Sequence, residues 1–509
     1  MSPAAPAAGA STGPTAVAGS VPQLWGDVAR RIEAGARFAG LMGTQRPDGV
    51  LLSAHLAVPG QPGITTCEAL LPHRADAYPA LTRRVGAAFW YEREIHDLFG
   101  LIPAGHPRLE PLILPLHEGE QARPRPGAPG PEPAAVWPDE HSVPRHVMGA
   151  GLFTIPHGPV RSGVMESIEY LVETPGEDIP HLNMRVFYKH RGVEKRFDGL
   201  SVADGVLLAE RTEGVASVAH ALAYCHAAEQ IAGAPVPWPA ALVRVLHAEL
   251  ERLANHLDTA ARLADGAGLA VATARFATHK EHVLRLAGRM CGSRFGRGVV
   301  VPGGVTSLPA VSAADFLTEI ARLDKAVRAD AAVLMGTASF LDRLRRTGPL
   351  SPQRAGEHGA LGPVGKASGF SDDARVHRSY DAYPALSPGE PAANAQGDAL
   401  ARLRVRWAEV RQSFHLLRQA ADELAEASSG PLRAECPVSD GRAAGWAEAP
   451  QGEVLYDLRV EDGRVARCRP RSASFHNLVL FHEVFAGDIL TDFPFIEASF
   501  GLSVAGVAL

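Results

Sequence analysis

Cysteine is scarce in this sequence. Only Cys67, Cys225, Cys291, Cys436 and Cys468 occur in 509 residues, and no two are spaced as a C-x-x-C pair. That spacing is weak as a disulfide framework and poor as a self-contained metal site. An intracellular, reducing setting is the simplest reading. Basic residues are missing from the start: the first is Arg30, so the positive opening of a secretory signal is absent. No apolar run reaches the ~18–20 residues that span a bilayer, so membrane contact is expected only through partner subunits. An excess of positive charge is missing too. The net charge of −6 argues against general nucleic-acid binding, which needs a basic surface.

Common chemistries are also missing. Gly362-Pro-Val-Gly-Lys366 resembles a phosphate loop only loosely. Position 360 is Ala rather than Gly, and Ala367 stands where the magnesium-binding Ser or Thr belongs. His247 and His256 lie nine residues apart, not the four that would make a zinc pair on one helix face, and the segment reads as a plain helix face. No glycine-rich fingerprint follows a strand and opens a helix, so no dinucleotide site is visible.

What is present is an ordinary globular composition, 46% apolar and 21% charged, in a chain long enough for two to four domains. Residues 1–20, rich in Ala, Pro, Gly and Ser, read as a disordered tail. Residues 21–116 read as a small α/β domain, with a helix over Leu24–Ala36 and a strand over Val50–Val58. Within it, Glu92, Arg93, Glu94 and Asp97 would be the solvated face of an amphipathic helix. The proline-rich stretch 117–148 reads as a linker. Residues 149–509 form the larger part. Strands are expected over Ser167–Val172 and Met184–Tyr188. Helices are expected from Val206 onward and over Pro239–Ala264, 274–291, 313–346 and 398–427. These five suffice for a central antiparallel bundle. Residues 348–396 read as loop-rich, and 442–509 as short strands and turns, including Glu453–Val460 and Gly463–Cys468. The fold class is α+β, a small α/β domain followed by a helix bundle flanked by β-rich segments.

The centre of this plan is Arg191–Glu229, where two charged clusters, Arg191–Lys195 and Arg211–Gly214, stand at the mouth of an apolar helix carrying Val215, Val218 and Leu222. Charged residues so placed are either a solvated helix start or a buried polar site.

Two resemblances favour a site. E-R-E-x-x-D-L-F-G-x-x-x-x-G-H-P at Glu92–Pro107 resembles a signature of the 30-kDa peripheral subunit of respiratory complex I. The larger part resembles the 49-kDa subunit and its relatives, the large subunits of membrane-bound nickel–iron hydrogenases. The carrying segments are His190–Lys195, Arg211–Gly214, Glu249–Leu253 with His256, Val301–Val305, and Gly362–Gly369 with Asp373 and Arg375. A fusion in this order is similar to the large subunit of formate-hydrogenlyase and hydrogenase-4 type complexes.

The departures carry as much as the matches. The hydrogenase pattern R-x-C-G-x-C falls on Arg211–Ala216, with Glu213 and Ala216 at the cysteine positions. D-P-C-x-x-C falls on Gly501–Gly506, with Ser503 and Gly506 there. A nickel–iron centre needs four thiolates, so nickel and hydrogen activation are not expected. Gln451 in Glu448–Glu453 replaces the arginine typical of such hydrogenases. The quinone-binding histidine of complex I is displaced to His157, and its tyrosine aligns with Gly214. His157, His220 or Tyr224 are left as contacts for a quinone or other acceptor.

By resemblance the chain is a peripheral-arm electron-transfer subunit on the cytoplasmic side of the membrane. It binds no cofactor alone, receives electrons from an iron–sulfur subunit and sits with membrane proton-translocating subunits. Glu194 and Glu213, with His190, Arg211 and His220, are the expected proton-handling residues. The competing reading makes Glu194–Lys195 and Arg211–Glu213 structural ion pairs, and the chain a redox-inactive scaffold or conformational coupler.

Overall fold

Apolar residues at helical spacing open the architecture. Val21, Leu24, Trp25 and Val28 form the buried stripe of α1 (Val21–Glu33), and the Trp25 indole donates to the Pro79 carbonyl at 2.6 Å. The computed structural model describes residues 13–17, 19–114, 151–161, 166–427 and 429–509. It divides into two compact units, one up to Gly192 with short returns at 356–359 and 507–509, the other comprising 193–355 and 360–506.

In the first unit a four-stranded sheet has the order β1-β4-β3-β2, from β1 (Gly13–Val17), β2 (Arg37–Arg46), β3 (Gly49–Ala57) and β4 (Ile64–Pro72). β1 runs parallel to β4 and the other pairs are antiparallel. The stretch read as a disordered tail therefore contains a sheet strand; the rest of it up to residue 12, and the linker stretch 117–148, lie outside the described residues. β5 (Ala77–Pro79), α2 (Phe89–Phe99) and β6 (Ile102–Ala104) follow.

The expected solvated face of α2 is buried instead. Glu92, Arg93, Glu94 and Asp97 are all at most 5% exposed. Three of them stitch loops to the helix. Glu92 accepts from the Leu81 and Thr82 amides. Arg93 donates to the carbonyls of Glu110 and Pro111. Asp97 Oδ2 accepts from the amides of Leu112, Ile113 and Leu114. Backbone groups in buried turns need partners, and these side chains supply them.

An antiparallel sheet of β7 (Phe153–His157), β8 (Glu169–Thr174) and β9 (His181–Arg185) completes the unit. The second expected strand ran to Tyr188. β9 ends at Arg185, and Phe187–Lys189 form a 3-10 turn.

The second unit begins with α3 (Val193–Phe197), α4 (Val202–Ala209), α5 (Ser217–Ala232), α6 (Trp238–Gly266) and α7 (Ala270–Cys291). Short strands β10 (Val300–Val301) and β11 (Gly304–Val305) precede α8 (Ala313–Met335) and α9 (Ala338–Leu344). The segment read as loop-rich holds four short helices, α10 (Pro352–His358), α11 (Gly362–Ala367), α12 (Ala374–His377) and α13 (Tyr383–Leu386). α14 (Ala399–Ala427) is followed by β12 (Gly441–Ala449), β13 (Gly452–Glu461) and β14 (Arg464–Arg471), an antiparallel meander. The final segment is helical where strands and turns were expected, with α15 (Ala473–Leu478) and α16 (Phe493–Phe500).

The bundle is α6, α7, α8 and α14, with α6 against α7 and α14, and α8 closing the other side. The fifth expected member, α5, packs chiefly on β12 and β13. Its expected continuity from Val206 is also broken, because Glu210–Ala216 forms turns between α4 and α5. The reason lies in a tertiary contact. The Glu251 carboxyl of α6 accepts from the Val218 and Ala219 amides at 2.7 and 3.1 Å, and so caps α5 from outside.

α5 lies close on the sheet because its facing residues are small and the sheet presents Gly445. A Cβ at 445 would collide with the Ala223 carbonyl and the Ala227 amide of α5. Gly445→Val is expected to cost about 1–3 kcal/mol or more by overpacking, read as a lowered unfolding midpoint in chemical denaturation; an unchanged midpoint would show that α5 does not rest on this sheet.

Candidate functional site

The turn between α4 and α5 carries Glu213, which is 1% exposed. Its Oε2 lies 3.1 Å from His220 Nε2, one turn into α5. Its Oε1 accepts from the Ser474 hydroxyl of α15 at 2.8 Å. His220 Nδ1 lies 2.9 Å from the Tyr456 hydroxyl of β13. Burial raises the Tyr456 phenol well above its ordinary value, so it keeps its proton, and its hydroxyl also lies 3.4 Å from Thr212 Oγ1. The chain Tyr456–His220–Glu213 is thus a continuous buried hydrogen-bonded line in which one imidazole can pass a proton between two oxygens.

Of the residues singled out in the sequence, the structure brings together Glu213 and His220. Tyr224 stands beside them, its ring 6.0 Å from that of Tyr456. Its hydroxyl, however, donates to the Val202 carbonyl at 2.9 Å, so it is engaged in joining α5 to α4. Glu194 is engaged elsewhere, paired with Arg467 and, at 2.8 Å, with Arg469 of β14. Arg211 is half-exposed and pairs with Glu210, and Lys195 pairs with Asp198. Neither expected ion pair, Glu194–Lys195 or Arg211–Glu213, forms. Local geometry decides this: β14 lies alongside α3, and the turn after α4 leaves Arg211 beside Glu210. His157 and His190 belong to the first unit. There His157 lies 3.2 Å from Arg161 Nη1 and faces the ring of Tyr170.

The larger polar site was missed. The segment between His247 and His256, read as a plain helix face, is buried and carries charge. Glu249, Arg252 and His256 lie at steps of three and four on α6, each at most 1% exposed. Lys366 of α11, 1% exposed, lies 2.6 Å from Asp373 and 2.7 Å from Glu409 of α14. Arg375 of α12 reaches Asp373 at 2.8 Å and Glu249 at 3.1 Å. Tyr383 and Ser413 each donate to Glu249 at 2.6 Å, and His256 Nε2 lies 2.7 Å from Glu409. Arg252 donates to the Glu448 and Ala449 carbonyls of β12.

Three cations here face four carboxyls, and the balance is closed by protonation. Burial, with the Asp373 carboxylate beside it, pushes the Glu448 carboxyl up to about 8, so it is neutral at pH 7. Burial holds His256 down to about 4, so it is neutral as well. Burial opposes ionisation of Glu409, yet Lys366 and the His256 hydrogen bond hold it well below the usual carboxylate range. The signal in the sequence was the spacing Glu249, Arg252, His256 beside the leucine stripe of α6.

A cavity of about 100 Å³ opens beside Gly214, between the start of α5, α6, α7 and the turn after α7. Val218, Leu250, Val283 and Phe295 form part of its apolar wall, and His247 and Glu251 are among its polar groups. His247 is 2% exposed, and its Nε2 has no hydrogen-bond partner among the described residues. Burial holds it neutral down to about 4 and pushes Glu251 up to about 8.

The profile described as respiratory-chain NADH dehydrogenase, 49 Kd subunit, matches residues 267–437 and 431–508, and that of the 30 Kd subunit matches 35–124. The carbon monoxide-induced hydrogenase of Rhodospirillum rubrum is 30% identical over 352 residues, 68% of this chain and 96% of the relative. The C/D fusion of the NADH-quinone oxidoreductase of Rhodopseudomonas palustris (strain BisA53) is 26% identical over 499 residues, 88% of this chain and 85% of the relative. A solved chain of the membrane-bound sulfane sulfur reductase, an archaeal respiratory membrane complex, shares the fold, with a TM-score of 0.67, 22% identity and coverage of 72% of this chain and 100% of that one. The chain belongs to the 49-kDa subunit family of complex I, with a 30-kDa-subunit domain fused ahead of it.

Hydrogenase relatives raise the question of a nickel–iron centre. Glu213, Ala216, Ser503 and Gly506 supply no thiol. The Ser503 amide donates to Ser474, which donates to Glu213. A Cβ at 506 would come within 2.6 Å of Glu213 Oε2. A carboxylate fills the space in front of Gly506, and the residues present do not fit a four-thiolate metal pair.

Two outcomes check the buried network. Lys366→Met leaves Asp373 to Arg375 and Glu409 to Arg252 and His256, and loss of the bridging cation is expected to cost about 3–5 kcal/mol in denaturant unfolding; a cost below about 1 kcal/mol would mean the pairs are not closed. Glu448 has a raised pKa when folded. Between the ordinary carboxyl value and about 8 the folded chain binds the extra proton, so stability falls as pH rises through that window. Glu448→Gln should flatten that fall in unfolding midpoints measured between about pH 5 and about pH 8; an identical slope in both proteins would contradict it.

Proposed function

We propose that this chain is the peripheral-arm electron-transfer subunit of a membrane-bound, complex I-like respiratory complex. It passes electrons from the cluster of an iron–sulfur partner to a quinone and links that step to proton translocation by membrane subunits. It does not bind nickel or activate hydrogen. It works on the cytoplasmic side of the membrane; no helix among the described residues is long and apolar enough to cross one. The relatives, a hydrogenase and an NADH-quinone oxidoreductase, support the class of complex.

One observation carries the reading. The four positions where a hydrogenase holds its metal bear no thiol, and the carboxylate of Glu213 stands there in line with His220 and Tyr456. Such a line can supply or take the proton that accompanies reduction of a quinone oxygen. The cavity beside Gly214 lies next in the chain to Glu213; its apolar wall stands beside the neutral His247 and Glu251, with Asp258, Lys280 and Arg294 also in its lining, and an apolar wall with a few polar groups suits an uncharged ring.

A second reading, a redox-inactive scaffold, draws on Glu194 and Arg211 being tied into ion pairs outside this line. The test is to purify the intact complex through a tag on this chain, and to assay quinone reduction and nickel on one sample. Quinone-dependent turnover without nickel is expected, and Glu213→Gln should assemble but lose about 10²-fold or more in turnover. An assembled complex with no turnover on any quinone, or with Glu213→Gln as active as the parent, would favour the scaffold; stoichiometric nickel would overturn both.

A further inference from the structure

Two concavities on the α8–α14 side of the bundle share Arg404. One is a cleft of about 570 Å³ whose cationic lining is Arg345, Arg346 and Arg404. The other is a groove of about 360 Å³ between α8 and α14, whose apolar side is Val327, Ala331, Met335, Trp407 and Val410, and whose charged lining is Asp324, Arg328, Arg404 and Arg411.

Three arginines against one carboxylate leave the cleft with net positive charge. Arg345, Arg346 and Arg404 are exposed, and none has an ion-pair partner among the described residues. Its one carboxylate, Asp398, has both oxygens taken by backbone amides, Arg346 at Oδ2 and Ala401 at Oδ1. Behind it on α14, Arg402 and Arg406 are fully buried and donate to carbonyls and the Ser499 hydroxyl rather than to carboxylates. In a chain of net charge −6, this end of α14 is a local concentration of positive charge. Guanidinium groups so grouped bind phosphate oxygens.

The groove adds an independent sign. Trp407 is 7% exposed and lines it, and its Nε1, a donor, has no acceptor among the described residues. Arg328, which also lines the groove, is already paired with Asp324 at 2.6 and 2.8 Å. The arginine cleft and the groove meet at Arg404, and the apolar side of the groove begins one helical turn further along α14, at Trp407. An anionic phospholipid likewise joins a phosphate to acyl chains. Arginine and tryptophan are also the side chains that anchor proteins at a bilayer interface.

We infer that the Arg345–Arg346–Arg404 cleft and the Trp407 groove together bind one anionic phospholipid, with its phosphate on the arginines and an acyl chain along α8 and α14. The position of the complex at a membrane rests on the function proposed above; the binding itself does not, and it is measured without redox turnover.

The experiment is flotation of the full chain with phosphatidylglycerol vesicles and with phosphatidylcholine vesicles, at low salt and at about 0.5 M salt. Each arginine near an anionic surface is worth about fivefold in binding. Binding to phosphatidylglycerol only, weakened by salt and reduced at least about tenfold in the Arg345→Glu/Arg404→Glu double variant, is expected. Acyl chains brominated near the carbonyl should quench tryptophan fluorescence, and Trp407→Phe should remove the quenching. Arg411→Glu, a surface change, provides a second variant that weakens binding without touching the core. Equal binding to both vesicle types, or none, overturns the inference. So does saturation of the cleft by inorganic phosphate with no vesicle binding, which would make it a free-anion site. Cross-linking of a photoreactive residue at 335 to another subunit of the intact complex, in place of quenching, would make the groove a protein interface and overturn it as well.

Discussion

The second unit depends on ion pairs kept out of water. Lys366, Arg375 and Arg252 would each be severely penalised in the middle of a helix bundle without a partner, because desolvation of a lone charge exceeds the worth of most single contacts. Their carboxylates come from separate elements: Glu249 from α6, Asp373 from the cap of α12 and Glu409 from α14. The pairs close only if all these elements stand in one register. That makes the network a specification of the fold as much as a source of stability. The short helices α11 and α12, too short to persist alone, are held where their lysine and arginine find these carboxylates.

The same logic places the Glu213 turn. α5 does not follow from α4 by continuation; it begins where Glu251 of α6 receives its first amides, and it rests on β12 through Gly445. With α5 fixed at one end by the bundle and along its length by the sheet, His220 faces Tyr456 and Glu213 faces Ser474. The site is assembled from residues 213, 220, 456, 474 and 503, so it exists only once the last strands and helices of the unit are in place.

Much of this plan was legible in the sequence. The long helices announced themselves by leucine periodicity, and β3 by its alternation. The turn at Arg211–Gly214 was marked as a candidate because charge stood at the mouth of an apolar helix and its sequence resembled a known pattern, and there the structure brings Glu213 and His220 together. What could not be read were partners distant in sequence. Nothing near Glu92 or Asp97 says that their donors will be loop amides, and so a buried stitching face looked like a solvated one. Glu194 looked like a companion of Lys195 because they are adjacent; Arg467 and Arg469, more than 270 residues on, are invisible to local pattern. The buried charges of α6 were legible in principle, since Glu249, Arg252 and His256 share a face, but a stripe of charge next to leucines reads as a helix surface until the elements that cover it are known.

The residues at the four aligned positions also fit one another. Gly506 has no side chain, and the carboxylate of Glu213 occupies the space a Cβ would take. Ser474 donates to Glu213 and accepts from the Ser503 amide. His220 meets the other carboxylate oxygen and is itself oriented by Tyr456. A buried carboxylate without these donors would be left with unsatisfied oxygens, at a cost of about 1–3 kcal/mol or more for each lost partner. Here both oxygens are met, the donor that meets one is itself met, and the space was cleared by a glycine. A side-chain set in which each member supplies what the next lacks is a satisfied polar network, buried from end to end, at the turn whose sequence resembles the hydrogenase cysteine pattern.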